Sequence, residues 1–332
     1  MAAEVLGLDI GGANLKAATA SGVAISQPFA LWKHPERLAE ELQQLLNAVP
    51  PFERLAVTMT GELCDCFETK RQGVNAILDA VEAVAGTIPI SVWQTSGEFT
   101  DVASARQQPL PIAAANWLAL ARFVGRLVPP GGALLIDIGS TTSDIIPLWN
   151  RQPKPHGRTD PERLQSGELV YTGVKRTPVC ALLGSDGMAE FFATMNDVFL
   201  LLGKASENAA DTDTADGRPA TRKFAHGRLA RMIGGDSEIT SEAMVTFLAE
   251  FVASRQRDLL CEAARSAATQ LPTPPERIVL AGSGEFLARE IAEAAFDHRP
   301  TCISLAEKLG AEISQCACAY AVAMLANEQP AL

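Results

Sequence analysis

Residues 134–148 read LLIDIGSTTSDIIPL: an apolar strand, a bend of glycine and small hydroxyl residues, then a second apolar strand carrying one aspartate. The two apolar flanks predict a buried hairpin that holds Asp137, Gly139, Ser140, Thr141, Thr142 and Asp144 at its bend. In so tight a turn successive N–H groups can point at one anion, and hydroxyls add donors without crowding it, so the bend is predicted to bind phosphate. An aspartate at the end of a buried strand is costly unless it meets a cation or a water shell. Magnesium held by one or two carboxylates together with ligand phosphate meets that requirement.

The chain opens on the same pattern. LGLDIGGANLK from Leu6 aligns without gaps on LLIDIGSTTSD from Leu134, so Asp9-Ile10-Gly11 matches Asp137-Ile138-Gly139 and Lys16 falls opposite Asp144. Two copies of one strand–turn–strand unit predict two related domains, each presenting its turn to a common site. Pro129-Pro130-Gly131-Gly132 is the clearest punctuation between them. A first domain is therefore expected over 1–130, completed by a C-terminal helix over 310–332. A second is expected over 131–309, with an inserted substrate region at about 150–240, the least regular part of the chain. Strands are predicted at 4–10, 17–26, 55–60 and 89–94, and helices at 35–48, 72–84, 111–127, 186–203, 241–270 and 310–326. The nearly all-small helix near the C-terminus suits close approach to another backbone, between the domains or within a core. A third glycine turn, Gly282-Ser283-Gly284, joins a strand to a helix. It is no dinucleotide fingerprint, because Leu287 stands where the last glycine belongs.

At 332 residues the chain exceeds what one core usually fills, and its 47% apolar and 20% charged composition is that of a globular protein. A net charge of −11, from 28 basic and 39 acidic side chains, argues against nucleic acid. It still permits a small phosphorylated ligand where backbone N–H groups and a divalent cation supply the positive field. No apolar run approaches a membrane span, and Glu4 and Asp9 interrupt what a signal peptide would need, so a cytoplasmic protein without a membrane partner is expected. Seven cysteines without a CxxC pair suit reduced thiols, and Cys64-Asp65-Cys66 and Cys316-Ala317-Cys318 lack zinc spacing. The acidic loop from Asp211 fails as an EF-hand because Ala215 and Arg222 occupy ligand positions. A homo-oligomer is compatible with the sequence.

Taken together, LGLDIGGANLKAA, TGEL, LLIDIGSTTSDII, IVLAGSGEFLA and GAEISQCACAYAVAM resemble, in order, the phosphate-1, connect-1, phosphate-2, adenosine and connect-2 segments of the acetate kinase, sugar kinase, Hsp70 and actin superfamily. That resemblance implies an α/β fold of two actin-like, ribonuclease H-like domains whose mixed sheets flank a central cleft. Within the superfamily the chain is most similar to the hydantoinase A/oxoprolinase group, and to its small branch linked to tetrahydromethanopterin-dependent one-carbon transfer. The similarity lies in TGELCDCFETKRQGV (60–74), SGELVYTGVKRTPV (166–179) and TADGRPATRKFAHGRLARMIGGD (214–236). The branch implies a transferase of methanofuran-type cofactor biosynthesis, joining an aminomethylfuran diphosphate to a tyramine-type phenol with release of diphosphate. The superfamily offers an ATP-dependent alternative, a small-molecule kinase or a hydantoinase-type ring opener, in the same cleft. It also offers a nucleotide-sensing regulator, whose repressor members carry a DNA-binding domain ahead of phosphate-1, where Leu6 leaves no room.

On this resemblance Asp9 and Asp137, with Asp144, hold Mg2+ or its waters. Gly11, Gly12, Asn14, Gly139, Ser140, Thr141 and Thr142 bind phosphate, and Lys16 neutralises its charge. Gly282, Ser283 and Gly284 form a nucleotide-type turn, which the alternative reading fills with ATP. Glu62, in TGEL, stands where resembling enzymes carry a polar residue that orients water or metal. Arg158, Asp160, Glu168, Tyr171, Lys175 and Arg176 form the densest polar group of the second half and are the substrate candidates. A phenol needs a base to lose its proton; His156 and His226 are available, although no motif ties either to the turns.

Overall fold

Alternating apolar residues and turn residues build two sheets of matching design in the computed structural model, which describes residues 4–329. The first contains β1 (Val5–Ile10), β2 (Asn14–Thr19), β3 (Ala24–Pro28), β4 (Arg54–Met59), β5 (Ile90–Trp93) and β6 (Phe99–Thr100), in the order β3-β2-β1-β4-β5-β6. The second contains β7 (Gly132–Ile138), β8 (Ser143–Trp149), β10 (Leu169–Val170), β11 (Arg277–Ala281) and β12 (Thr301–Ser304), in the order β10-β8-β7-β11-β12, with β9 (Gln152–Pro153) paired on β8. In each, the central strand pairs antiparallel with its hairpin partner on one side and parallel with a crossover strand on the other, β1 with β4 and β7 with β11. These are two actin-like α/β domains facing a cleft.

The two hairpins share one register. Asp9 pairs with Lys16 and Asp137 with Asp144, at equivalent rungs. Each bend is closed by a glycine N–H, from Gly11 to the Asn14 carbonyl (3.0 Å) and from Gly139 to the Thr142 carbonyl (2.9 Å). All six residues of β1 are buried, and β7 is buried except at Asp137.

Helix Ala317–Asn327 packs on β1, β2, β4 and helix Asn116–Val124. Gly7 lets it come close, since a Cβ there would overlap the Ala319 carbonyl oxygen. Ala321 and Val322 of this helix share a core with Val5 and Ala56 of the first sheet and with Leu135 and Val279 of the second. The small-residue helix therefore lies between the two sheets.

Element ends depart from the sequence reading where single residues redirect the backbone. The strand expected over 17–26 splits into β2 and β3 at Gly22, with φ near 103°. The helix expected over 111–127 shortens to Asn116–Val124, because Pro111 and a left-handed Ala114 (φ 47°) precede it. The helix expected over 186–203 starts only at the Thr194 and Asp197 capping box, as Met195–Leu201. The C-terminal helix breaks at Cys316 into Ala311–Gln315 and Ala317–Asn327. All seven thiols are unpaired. Among the described residues no helix is long and apolar enough to cross a membrane.

Candidate active site

Both bends open into one cavity of about 480 Å³ between the sheets. Asp9, Gly11, Gly12, Asn14 and Lys16 line one side of it, and Asp137, Gly139, Ser140, Thr141, Thr142 and Asp144 line the other. Asp9 is only 5% exposed, and its Oδ1 has no hydrogen-bond partner. Burial raises its pKa against the opposing pull of Lys16 and Asn116. Burial and then the neighbouring Asp144 push Asp137 up to about 7, with Lys16 pulling the other way. Burial alone would lower the Lys16 ammonium, but Asp9 leads the neighbours that leave its pKa raised. Asp144 is paired with the Arg163 guanidinium at 2.6 Å, which leaves Asp9 and Asp137 to share Lys16. That arrangement keeps a negative charge that a cation would neutralise, and the orphaned Asp9 oxygen is a ready ligand. Among the described residues no three His, Cys, Asp or Glu side chains converge to chelate a metal by themselves. A divalent ion here would complete its shell with water and ligand phosphate, as magnesium commonly does.

The second bend is braced from behind. The N–H of Val174 donates to the Gly139 carbonyl (3.0 Å), and those of Lys175 and Arg176 donate to the Ser140 carbonyl (3.0 and 2.8 Å). Gly173 makes this possible, because a Cβ there would meet the backbone of Ser140 and Thr141. Gly282, at φ 84°, passes so close that a Cβ would overlap the Ile138 carbonyl and Asp137 Oδ1. Gly282 and Ser283 line the cavity, whereas Gly284 lies behind it and donates its N–H to the Ile138 carbonyl (2.8 Å).

A second cavity of about 290 Å³ adjoins the first, and Gly12, Thr60, Asn116, Thr142, Asp144 and Arg176 line both. Its far walls are aromatic and apolar: Trp32, Trp117, Tyr171, Leu63, Leu164 and Leu169. The Arg163 guanidinium stacks on Trp117 at 4.1 Å, and its Nη2 donates to Asp144 (2.6 Å) and to the Glu168 carbonyl (3.2 Å). Arg176 stacks on Trp32 at 4.1 Å and keeps a buried Nη1 without a partner.

Glu62 lines this second cavity, 1% exposed, with both carboxylate oxygens unpartnered. It sits in the short Gly61–Leu63 turn that ends β4. Helix Lys70–Ala85 presses on it through Gly73, where a Cβ would overlap the Glu62 carbonyl. Burial pushes the Glu62 carboxyl up to about 7, against weaker opposing pulls led by its own N–H, which lies near the carboxylate without hydrogen-bond geometry, and by the Lys70 ammonium. Lys70 in turn pairs with Asp160 at 2.7 Å.

Of the substrate candidates, Lys175 lines the first cavity, Asp160 and Tyr171 line the second, and Arg176 lines both. Lys175 pairs with Asp211 at 2.9 Å. Arg158 and Glu168 line neither cavity. The N–H of Arg158 donates to Glu162. The Glu168 carboxylate is consumed by the N–H groups of His156 (2.6 Å) and Gly157 (3.0 Å) and by the Ser166 hydroxyl, closing the loop ahead of helix Asp160–Ser166. His156 and His226 also lie off both cavities. Sequence reasoning passed over Asn116, Arg163, Gly173, Trp32 and Trp117. Rarity was a usable signal for the tryptophans, since two of the chain's four face the second cavity.

The sequence profile of the hydantoinase/oxoprolinase family matches residues 53–329. The chain is 32% identical over 336 residues to the (4-{4-[2-(gamma-L-glutamylamino)ethyl]phenoxymethyl}furan-2-yl)methanamine synthase of Methanocaldococcus jannaschii, covering 98% of each. It is 27% identical over 219 residues to the synthase of the same name from Methanococcus vannielii, covering 63% of this chain and 96% of that one. Among solved structures, the nucleotide-free acetone carboxylase of ATP-dependent acetone carboxylation aligns with a TM-score of 0.56 at 12% identity, over 97% of this chain and 70% of that one. Matched by the profile along most of its length and by the archaeal synthase along nearly all of it, the chain belongs to the hydantoinase/oxoprolinase family, as an enzyme on the actin-like fold.

Proposed function

We propose that the chain is an ether-forming transferase of methanofuran-type cofactor biosynthesis, joining an aminomethylfuran diphosphate to a tyramine-type phenol and releasing diphosphate. The observation that carries this reading is the pairing of a charged, glycine-turned cavity with an aromatic one through a common wall. An anion with an aromatic body suits that shape, and near-full-length identity to a synthase named for a phenoxymethylfuran product supports it. The two bends and Arg176 hold the diphosphate. Asp9, Asp137 and Asp144 are the residues that would hold Mg2+, which when bound neutralises charge developing on the leaving group. The furan carbon bearing the diphosphate then lies at the wall shared by the cavities, with Trp32, Trp117 and Tyr171 flanking the organic rings. A small phosphorylated substrate suffices, with no nucleic acid or membrane as partner.

The ATP-dependent reading is favoured by one feature, the Gly282-Ser283 turn beside Phe286 and Phe199 at the edge of the first cavity. One experiment separates the two. Purified protein is given Mg2+ with ATP, or Mg2+ with the furan diphosphate and tyramine, and products are followed by phosphorus NMR. Diphosphate release that depends on the phenol is expected; ADP formation without it would replace the transferase with the ATP-dependent enzyme.

A further inference from the structure

Glu62 is the carboxylate whose two oxygens are both buried and unpartnered among the described residues. Leaving such a group without a partner costs several kcal/mol, so its position asks for a ligand group that fills the gap. Glu62 faces a cavity walled by indole and phenol rings, next to the cradle proposed to hold the diphosphate. An aromatic hydroxyl fits both features: a flat apolar ring for the walls and one O–H for the carboxylate.

We propose that Glu62 is the base that takes the proton from the acceptor's phenolic hydroxyl, and that the second cavity is the acceptor subsite. The assignment rests on the transferase reading above. The phenol O–H proton passes to a Glu62 oxygen while the phenol oxygen donates an electron pair to the furan methylene carbon. The bond from that carbon to the bridging diphosphate oxygen breaks, and its electron pair leaves with the diphosphate. After the ether departs, Glu62 returns its proton to solvent.

The surroundings suit this role. Lys70 and Asp160 face Glu62 as a neutralised pair from the helices Lys70–Ala85 and Asp160–Ser166. Cys64 and Asp65 stand on its own loop, the Ala114 N–H approaches from the turn before helix Asn116–Val124, and Arg163, Asp144 and Arg176 line the same cavity. Burial has already brought the carboxyl up to about 7. That narrows the gap to a phenol near 10, and a base of such strength is about half ionised at neutral pH, more so above it, and accepts protons effectively. The rival role, anchoring the aminomethyl ammonium of the furan, would bury two full charges and pay the desolvation of both, whereas a neutral phenol brings none.

The test uses wild type, E62Q and E62D with Mg2+, the furan diphosphate, and tyramines ring-fluorinated to lower the phenol pKa stepwise. Diphosphate release is followed from pH 5.5 to 9. Wild-type kcat is expected to rise with pH and level off above about 7, as a base with the Glu62 proton affinity requires. For E62Q, kcat with tyramine is expected to fall about 100-fold or more, with KM for the phenol little changed. The deficit shrinks as fluorination makes the phenol more acidic, and E62D recovers part of the rate. A deficit equal across all phenols, or confined to KM for the furan diphosphate, would overturn the base and assign the ammonium anchor. An E62Q rate within threefold of wild type overturns Glu62 alone. Wild type that releases no diphosphate with any phenol sinks the transferase reading and this assignment with it. Should E62Q not fold, wild type decides: its pH limb must flatten for the most acidic phenol, and a limb that is the same for every phenol rejects the base.

Discussion

Burial withholds water from Glu62, so the folded chain favours its neutral form and holds the proton to about pH 7, against 4.5 for an exposed glutamate. As pH rises past 4.5 the unfolded chain gives up that proton first. The stability contributed by the neutral acid is therefore complete below 4.5 and is lost as pH climbs through about 7. The loss is worth about 3 kcal/mol. In ligand-free protein the urea midpoint is expected to fall between pH 5 and 7.5, and to fall less in E62Q. It will not flatten fully in E62Q, because Asp137 is raised into the same window. Equal slopes for the two proteins would mean that Glu62 is solvated. Arg176 presents a complementary case: its guanidinium stacks on Trp32, but its buried Nη1 has no hydrogen-bond partner. R176M is expected to weaken Mg2+–diphosphate binding by about tenfold or more, the worth of a charge-assisted hydrogen bond, measured by calorimetry. Its melting temperature without ligand should change little, because the lost stacking on Trp32 is offset by removal of a buried donor without a partner. Arg176, Asp160 and the turn residues were legible in the sequence because polar side chains cluster near glycines there. Arg163 and Asn116 were not. Each gains its role from a partner contributed by a distant segment, Arg163 from Asp144 and Trp117, and Asn116 from Asp9.

At the scale of elements, the repeated motif carried the most information. Aligning Leu6 with Leu134 fixes Lys16 opposite Asp144 on paper, and the structure sets both at the rung facing the motif aspartate. Both motif strands, β1 and β7, are buried on both faces, so the equal turn fixes the register: each hairpin closes through the N–H of its glycine onto the carbonyl three residues on. Helix ends were less legible, since they hang on local events such as the left-handed Ala114 or the Thr194 capping box, which hydrophobic period does not report. The close approach of β1 to helix Ala317–Asn327 was half legible: the run of small residues announced a tight contact without naming Gly7 as its other side. That contact yields a test. G7A puts a methyl group into the Ala319 carbonyl and is expected to destabilise the protein by about 1–3 kcal/mol, the usual cost of overpacking, read from urea unfolding. Adding A319G should not restore stability, because the obstacle is backbone. Rescue by A319G would show that the side chain, and not the helix backbone, limits the approach.

The molecule as a whole is strongly acidic, yet it gathers Asp9, Asp137 and Asp144 around a cavity proposed for an anion. Long-range charge opposes such a ligand, so affinity must come from local donors and an accompanying cation. The two sheets are not independent bodies beneath this cleft. They share the core built on Ala321 and Val322. Lys70 with Asp160, and Arg176 with Trp32, also tie segments adjoining the first sheet to segments adjoining the second. A ligand gripped by both bends should therefore stabilise the whole chain as one unit. Mg2+ with diphosphate at one hundred times the dissociation constant is expected to add about 2.7 kcal/mol, or roughly 4 °C for a protein of this length. Calorimetry should show one transition moving as a whole. Diphosphate with EDTA, or Mg2+ alone, should move it little. D9N and D137N, one from each hairpin, should each abolish the shift, although D137N removes a carboxylate whose ionised form the fold disfavours and melts higher without ligand. A shift that survives in both variants would place the anion outside the cleft. A transition that splits on binding would mean that the grip reaches only one of the two bends, and that the shared core does not couple them.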